Sequence, residues 1–336
     1  MHIAIDITPL ESGHAFRGVG TYTRLLVDSL KRYESKHSYS LFTRGQKIPK
    51  KADIVHYPYF DPFFLTLPLF KEKQTVVTVH DLIPLVFPDR FPAGFKGALK
   101  WQLQKISLWG AKRIIADSDS SKNDIARITG VDKARIDRIY LAPDPAFVPA
   151  KVKASKMKYF LYVGDVNWNK NVLGLLEAFA KLKGYTLILV GRAFIDTSLR
   201  ETRQINSLIG VLGIERFVRR PGHVSGGELN KLYSEAVALV QPSFYEGFGL
   251  PVLEAMACGC PVVSAVNSSL AEIEGPAIHV APDAVSIAEG MRKAVVLNRA
   301  IQTNKQFEWL TQFSWKRVAR ETALSYEKAV NHHTGI

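Results

Sequence analysis

Two carboxylates eight residues apart, Glu246 and Glu254, stand in the stretch QPSFYEGFGLPVLEAMACGCPVVSA at residues 241–265. Between them Gly247 and Gly249 flank Phe248 and precede Leu250, so the backbone there can approach a ligand closely. A glycine loop running into a helix N-terminus offers N–H groups that have no partner within the helix, a seat suited to phosphate. A carboxylate beside that phosphate would repel it. Glu254 is better used a few ångströms further along, where its two oxygens can accept from both hydroxyls of a ribose. Glu246, in the loop, can accept from sugar hydroxyls on the other side of the phosphates. Ribose, phosphates and sugar together make a nucleotide sugar. The pair suits glycoside hydrolysis poorly, because two hydrolytic acids must flank one scissile bond. An ordinary strand–turn–helix with surface acids would need neither glutamate.

The elements that must position these groups read as strand, loop, helix, strand. VALVQ is the strand before the loop. Pro251 stands in the first helical turn, where a missing N–H is no loss. Leu253, Ala255, Met256 and Ala257 give the helix its apolar face, Gly259 and Pro261 end it, and PVVSA is the next buried strand.

The same alternation runs through the rest of the chain. HIAIDIT is a first strand, and Arg17-Gly18-Val19-Gly20 opens a helix from about Thr21. GVGTYT lacks the third glycine of a dinucleotide fingerprint, which speaks against an NAD-dependent enzyme. VVTVH is a buried strand ending in His80-Asp81. Ligands of open α/β sheets sit beyond the carboxyl ends of strands, so His80 is either a site residue, with Asp81 orienting its ring, or a structural histidine. YFLYVGD, VNWNKN and a helix from Val172 put Lys170 and Asn171 after another strand, and Arg192 follows YTLILVG. In the helix after RIIADS, Ser120 or Ser121 is the expected cap and Gly130 the end.

Two stretches are harder to place. YPYFDPFFLTLPLF is dense in aromatics and has three prolines, so it is neither helix nor regular strand. It reads as an acceptor wall, a lipid contact or a buried connection. Residues 91–113 read as an amphipathic helix with Leu99, Leu103, Ile106 and Trp109 at helical spacing and five basic residues. It either faces the core with a basic outer side or lies on an anionic membrane.

Bulk properties set the limits. The 336 residues have room for two domains. Proline and lysine mark a linker at 142–156, giving an expected first domain at 1–150, a second at 151–313 and a closing helix at 314–336. The net charge of +13 fits an anionic donor or an anionic membrane surface. No nucleic-acid motif accompanies it, so no nucleic-acid partner is expected. Cys258 and Cys260 are too close for a disulfide and lack partners for zinc, and read as buried packing residues. No apolar run has the length of a membrane span, and the N-terminus reads as a strand rather than a leader. The expectation is a cytoplasmic protein, in solution or peripheral on the inner face of a membrane.

The 241–265 stretch closely resembles the signature of the retaining family-4 glycosyltransferases: a Glu, seven residues and a Glu, within P-S-x-x-E-G-F-G-L-P-x-L-E-A-M-A-x-G-x-P-V-V. The resemblance implies an α/β protein of the GT-B fold, with two Rossmann-like domains whose parallel sheets face across a cleft and a C-terminal helix crossing back to the first domain. It implies that Glu246 contacts the donor sugar and Glu254 the ribose. It also implies that the glycine loop at 17–20 faces the donor phosphates and the acceptor, and that His80 lies near the transferred sugar. Lys170, beside the matching Asn171, would bind the diphosphate. The arginine that shares that task in the family is replaced here by Asp165 or Asn169, which leaves Arg192 as a candidate second charge. His223 and Val224 would touch the base.

In the mechanism usually proposed for the family, the departing phosphate oxygen takes the acceptor's proton. Neither protein base, metal nor cofactor is then required, and Asp117-Ser118-Asp119 reads as a helix-capping turn. The RGVG, HDLIPL and EGFG segments look most like bacterial polysaccharide mannosyltransferases, which implies GDP-mannose as donor and a hydroxyl of a glycan or lipid-linked glycan as acceptor. A UDP-glucose or dTDP-deoxy-sugar donor stays open. So does a subunit that binds a nucleotide sugar without turnover, for which the missing arginine speaks.

Overall fold

The computed structural model describes residues 1–11, 13, 18–150 and 157–331; Arg17 lies outside them. The chain forms two compact units, Met1–Ala142 with Phe313–Ile336, and Pro143–Gln312.

The first unit is built on strands β1 (His2–Asp6), β2 (Ser38–Phe42), β3 (Ile54–Tyr57), β4 (Gln74–Thr78), β5 (Arg113–Ala116) and β6 (Ile136–Arg138), in the order β2-β1-β3-β4-β5-β6. All pairs are parallel. β1, β3 and β5 are buried throughout, as a parallel sheet covered on both faces requires. The strand order turns back at β1, which places β1 and β3 side by side and their carboxyl ends at the switch point.

The Trp315–Asn331 helix belongs to this unit. It packs on the Gly18–Tyr33 helix and on β3, β4 and β5. Trp315, Val318, Thr322, Tyr326 and Ala329 are its buried stripe, at the three- and four-residue spacing of one helical face. Tyr326 Oη lies 2.7 Å from His56 Nδ1 on β3, and His56 Nε2 lies 2.9 Å from Thr78 Oγ1 on β4. Thr78 Oγ1 lies in turn 2.9 Å from Tyr22 Oη. Burial, helped by nearby His80, pushes the His56 imidazole down to about 3, so it is neutral at pH 7.

The second unit is built on β7 (Tyr159–Val163), β8 (Thr186–Val190), β9 (Val218–Gly222), β10 (Ala238–Gln241), β11 (Val262–Ala265) and β12 (Ile278–Val280), in the order β12-β11-β10-β7-β8-β9. Its pairs are also parallel. Here the switch point falls between β7 and β10. Residues 143–150 already belong to this unit. Val148 N–H donates to Asn230 Oδ1 at 3.0 Å, Ala150 N–H to Ser234 Oγ at 3.0 Å, and the Phe147 ring meets Tyr233 edge-on. Composition alone could not show those bonds, which move the boundary from 150/151 to 142/143.

Four local readings change. The first glycine helix begins at Gly18 rather than Thr21, because Gly18, Val19 and Gly20 form its first turn and Thr23 Oγ1 donates to the Val19 carbonyl at 2.9 Å. Ser118, not Ser120 or Ser121, caps the Asp119–Thr129 helix, its hydroxyl accepting from Ser121 N–H at 2.9 Å. The basic helix is shorter than 91–113, running Gly94–Trp109. It also does not turn its apolar stripe to the core: Gly97, Gln104, Ser107 and Leu108 are its buried residues, and Leu99, Ile106 and Trp109 are exposed.

Candidate active site

In the second unit the loops after β7 and β10 meet at the switch point. Trp168–Lys170 form a single turn after β7, and Asn171 starts the Val172–Phe179 helix in a left-handed conformation, φ 53°. Asparagine tolerates this backbone better than most residues. Its side-chain amide donates to the Pro242 carbonyl at 3.0 Å and the Pro282 carbonyl at 2.8 Å. Asn171 thus bolts the two loops together. Asn169 repeats the device: its carbonyl accepts from Phe244 N–H at 2.8 Å, and its amide donates to the Tyr245 carbonyl at 2.9 Å. The Trp168 and Phe244 rings stack at 5.0 Å.

This lacing sets Lys170 against Glu246, with Nζ 2.6 Å from Oε2. The other carboxylate oxygen, Oε1, accepts from Gln241 Nε2 at 2.8 Å and Ser243 Oγ at 2.7 Å. Glu246 N–H donates to Ser268 Oγ at 2.9 Å. A buried carboxylate needs such partners, and here they come from β10 (Gln241), the loop after it (Ser243) and the loop after β7 (Lys170). Ser269 Oγ lies 2.9 Å from the carbonyl oxygens of both Glu246 and Phe248, fixing the loop backbone. Gly247 and Gly249 are buried with Phe248, and Leu250 opens the Leu250–Ala257 helix. Gly249 has φ +108°, and a Cβ there would stand 2.7 Å from the Leu270 side chain. Only glycine fits.

Glu254 lies one turn into that helix, half-buried, with Oε2 accepting from Tyr233 Oη at 3.0 Å. Burial raises its carboxyl to about 7, nearby Asp144 adding to the rise and the Tyr233 bond opposing it. Arg192 and His223 follow β8 and β9, both exposed at the carboxyl ends of their strands, and Val224 is half-buried beside His223. Gly191 and Gly164 touch so closely that a Cβ on Gly191 would strike the Gly164 carbonyl, so the β7 and β8 loops adjoin. Cys258 and Cys260 are buried free thiols, and burial pushes both up to about 12.

The first unit carries its own set. His80 stands at the carboxyl end of β4. Its Nδ1 lies 2.6 Å from Asp117 Oδ2, its Nε2 lies 3.2 Å from the Pro58 carbonyl, and the Tyr22 ring meets it edge-on at 4.7 Å. Adjacency in sequence points to Asp81 as the partner that orients the ring. Asp81 instead accepts from Ile83 N–H at 3.0 Å, and the orienting carboxylate is Asp117 from the next strand end. Burial works against charge on both members, lowering the imidazole and lifting the carboxyl. For His80 the attraction of Asp117, its hydrogen bond and the help of Asp81 and the Pro58 carbonyl outweigh burial, so its affinity for a proton is raised. Asp117 was thus more than the opening of a capping turn. Gly18, Val19 and Gly20 stand in a helix N-terminal turn, the position at which backbone N–H groups lack intrahelical partners.

The structure therefore brings Lys170, Asn171, Glu246 and the loop 247–250 together, with Glu254 one helical turn on. His80 and the 18–20 turn belong to the other unit. Sequence reasoning missed Asp117, Gln241, Ser243, Ser268 and Tyr233. Gln241 and Ser243 carried a signal, since two polar residues flank a proline where a buried strand ends.

Comparison with known proteins follows the same division. Residues 145–307 match the family described as Glycosyl transferases group 1, and residues 30–147 match Glycosyltransferase Family 4. O-antigen chain mannosyltransferase B of Escherichia coli is 32% identical over 295 residues, 82% of this chain and 75% of that protein. O-antigen chain mannosyltransferase RfbU of Salmonella typhimurium is 34% identical over 228 residues, 65% of this chain and 59% of that one. Among solved structures, the sucrose-phosphate synthase of Thermosynechococcus elongatus superposes with a TM-score of 0.77 at 20% identity, covering 98% of both chains. HepE of Anabaena in complex with UDP and glucose superposes at 0.75 and 18% identity, covering 97% of this chain and 99% of that one. Fold and relatives agree: the chain belongs to the group 1, family 4 glycosyltransferases, hexosyltransferases of the GT-B fold.

Proposed function

We propose that this glycosyltransferase moves mannose from GDP-mannose to a hydroxyl of a glycan or lipid-linked glycan, with retention at the anomeric carbon and without a metal. The observation that carries the donor site is Glu246, buried at the switch point with one oxygen fixed by Gln241 and Ser243 and the other facing Lys170. In this reading Glu246 holds sugar hydroxyls in one orientation. Lys170 stands beside the diphosphate, with the N–H groups of the 247–250 turn and Arg192, and stabilises the charge that grows as the glycosidic bond breaks. Glu254 accepts from the ribose hydroxyls, and His223 and Val224 border the base. His80, held by Asp117, and the 17–20 turn serve the transferred sugar and the acceptor. The departing phosphate oxygen takes the acceptor proton. Mannose is favoured because the relatives matched at 32% and 34% identity are named as mannosyltransferases.

Asn169, where the family has an arginine, favours one second reading: a protein that binds a nucleotide sugar without turning it over. One experiment separates the two. Saturation-transfer NMR with GDP-mannose, UDP-glucose, UDP-N-acetylglucosamine and dTDP-rhamnose is followed over hours for hydrolysis. GDP-mannose binding with slow hydrolysis that Lys170→Ala removes is the expected result. Preferential binding of another donor refutes the mannose assignment. Binding without hydrolysis, and without transfer to any lipid-linked glycan supplied, supports the non-catalytic reading.

A further inference from the structure

The Gly94–Trp109 helix is turned inside out. A surface helix normally buries its apolar stripe and shows its polar one. This helix buries Gly97, Gln104 and Ser107 along with Leu108. The polar side is used up: Gln104 Oε1 accepts from the N–H of Thr66 at 2.9 Å and of Leu67 at 3.0 Å, and Ser107 Oγ donates to the Pro68 carbonyl at 2.7 Å. Those bonds clamp the aromatic 57–70 stretch along one flank of the helix. The outer ridge is then Phe95, Leu99 and Ile106, exposed to 86%, 57% and 55%. At about 100° per residue the three fall within one narrow arc. The clamped stretch extends the same apolar surface with Phe64, 62% exposed, and Phe70, 85% exposed.

Charge frames this ridge. At the same pitch Lys96 and Lys100 fall on one side of the arc and Lys105 on the other. Lys100 Nζ sits 5.2 Å from the centre of the Phe64 ring, and Lys105 Nζ 5.6 Å from the centre of the Trp109 ring. Both ammonium groups thus sit over aromatic rings bordering the ridge, a cation–π placement. Residues 62–71 and 91–116 contain no Asp or Glu. Exposed phenylalanines rimmed mainly by cations, with Asp61 and Glu72 just outside the stretch, match the boundary between anionic headgroups and acyl chains. A second copy of the same face is a poor partner, since it would set lysines against lysines.

We propose that the face formed by the 94–109 helix and the 62–71 stretch docks on an anionic lipid bilayer, with Phe95, Leu99, Ile106 and Phe70 entering the interface and Lys96, Lys100 and Lys105 at the headgroups. The proposal concerns the first unit alone and does not depend on the donor reading.

The test is co-flotation of the full chain with phosphatidylcholine vesicles, with and without phosphatidylglycerol. Expected is binding that requires phosphatidylglycerol and falls as salt rises. Lys96→Gln/Lys100→Gln/Lys105→Gln should weaken it roughly 100-fold, at about fivefold per charge. Phe95→Ser/Leu99→Ser/Ile106→Ser should weaken it at least roughly tenfold, while thermal melting and donor hydrolysis stay at the parent's values. Wild-type chain that stays with the protein-only fraction overturns the proposal, as does either triple variant binding like the parent. Sedimentation gives a third outcome: a wild-type dimer that the apolar variant dissolves, without vesicle binding, makes the face a chain–chain contact instead.

Discussion

In the proposed reading, a diphosphate arriving beside Lys170 has to compete with Glu246 for the ammonium, because the two already touch at 2.6 Å. Lys170→Ala should therefore lower turnover by roughly 100-fold or more, read from donor hydrolysis or transfer. It should also destabilise the fold, since Glu246 would keep a buried charge with no cation beside it. Lys170→Ala turning over at the parental rate would end the diphosphate role. Glu254 gives a pH signature. Its carboxyl is pushed up to about 7, so the ionised form that the proposed ribose role requires predominates above that pH and is lost below it. Donor affinity should fall as pH drops through 7, by up to about tenfold per pH unit. Glu254→Gln should bind more weakly with a flat profile, as titration calorimetry at several pH values would show. A parental profile unchanged between pH 5.5 and about 8 would place the ribose elsewhere. His56 carries the opposite kind of information. Its folded pKa of about 3 lies below the unfolded value, so the stability it contributes is complete above about pH 6.5 and drains away as pH falls toward 3.

Among the elements, the strand–loop–helix at 241–265 was the most legible, because everything that defines it is local. The glycine turn, the proline in the first helical turn and the two glutamates all sit in one contiguous stretch. Gly249→Ala tests that stretch as a unit. With φ at +108° and Leu270 in the way, it should cost about 1–3 kcal/mol in a urea titration and loosen donor binding, by displacing the backbone of the 247–250 turn. What stayed hidden spans distance or direction. His80 and Asp117 are 37 residues apart and meet because β4 and β5 are neighbours. Asp81 drew attention by adjacency, yet successive residues at a strand end point to opposite sides, and Asp81 turned away to Ile83. The 94–109 helix shows the second limit. Periodicity finds an apolar stripe, but it does not say which side the stripe faces, and here Gln104 and Ser107 won the inward side by bonding the backbone of the 62–71 stretch. By sequence, Asn169 stands where the family has an arginine. In the structure its side chain splices two loops, a use that a one-residue substitution pattern does not disclose.

At the scale of the molecule, the fold class and the order of strands and helices were readable, because alternating strand and helix patterns with buried apolar runs leave few architectures. The chain builds most of the first unit, then all of the second, and adds the Trp315–Asn331 helix to the first. That helix covers the Gly18–Tyr33 helix and β3 to β5, and Tyr326 closes the hydrogen-bonded chain through His56, Thr78 and Tyr22. Tyr326→Phe should cost about 1–3 kcal/mol, the penalty for leaving a buried donor or acceptor unpaired. Ending the chain at residue 312 should strip hydrogen-exchange protection from the first unit's strands and leave that of the second in place; equal loss in both would mean that the two fold as one. The late return has a temporal meaning as well. During synthesis the last helix of the first unit emerges 170 residues after Ala142, since the second unit occupies Pro143–Gln312. At about 5–20 residues per second the nascent first sheet waits roughly ten to thirty seconds with one apolar face open. The half of the enzyme made first is the half finished last, and the face that the Trp315–Asn331 helix covers stays open to other chains until then.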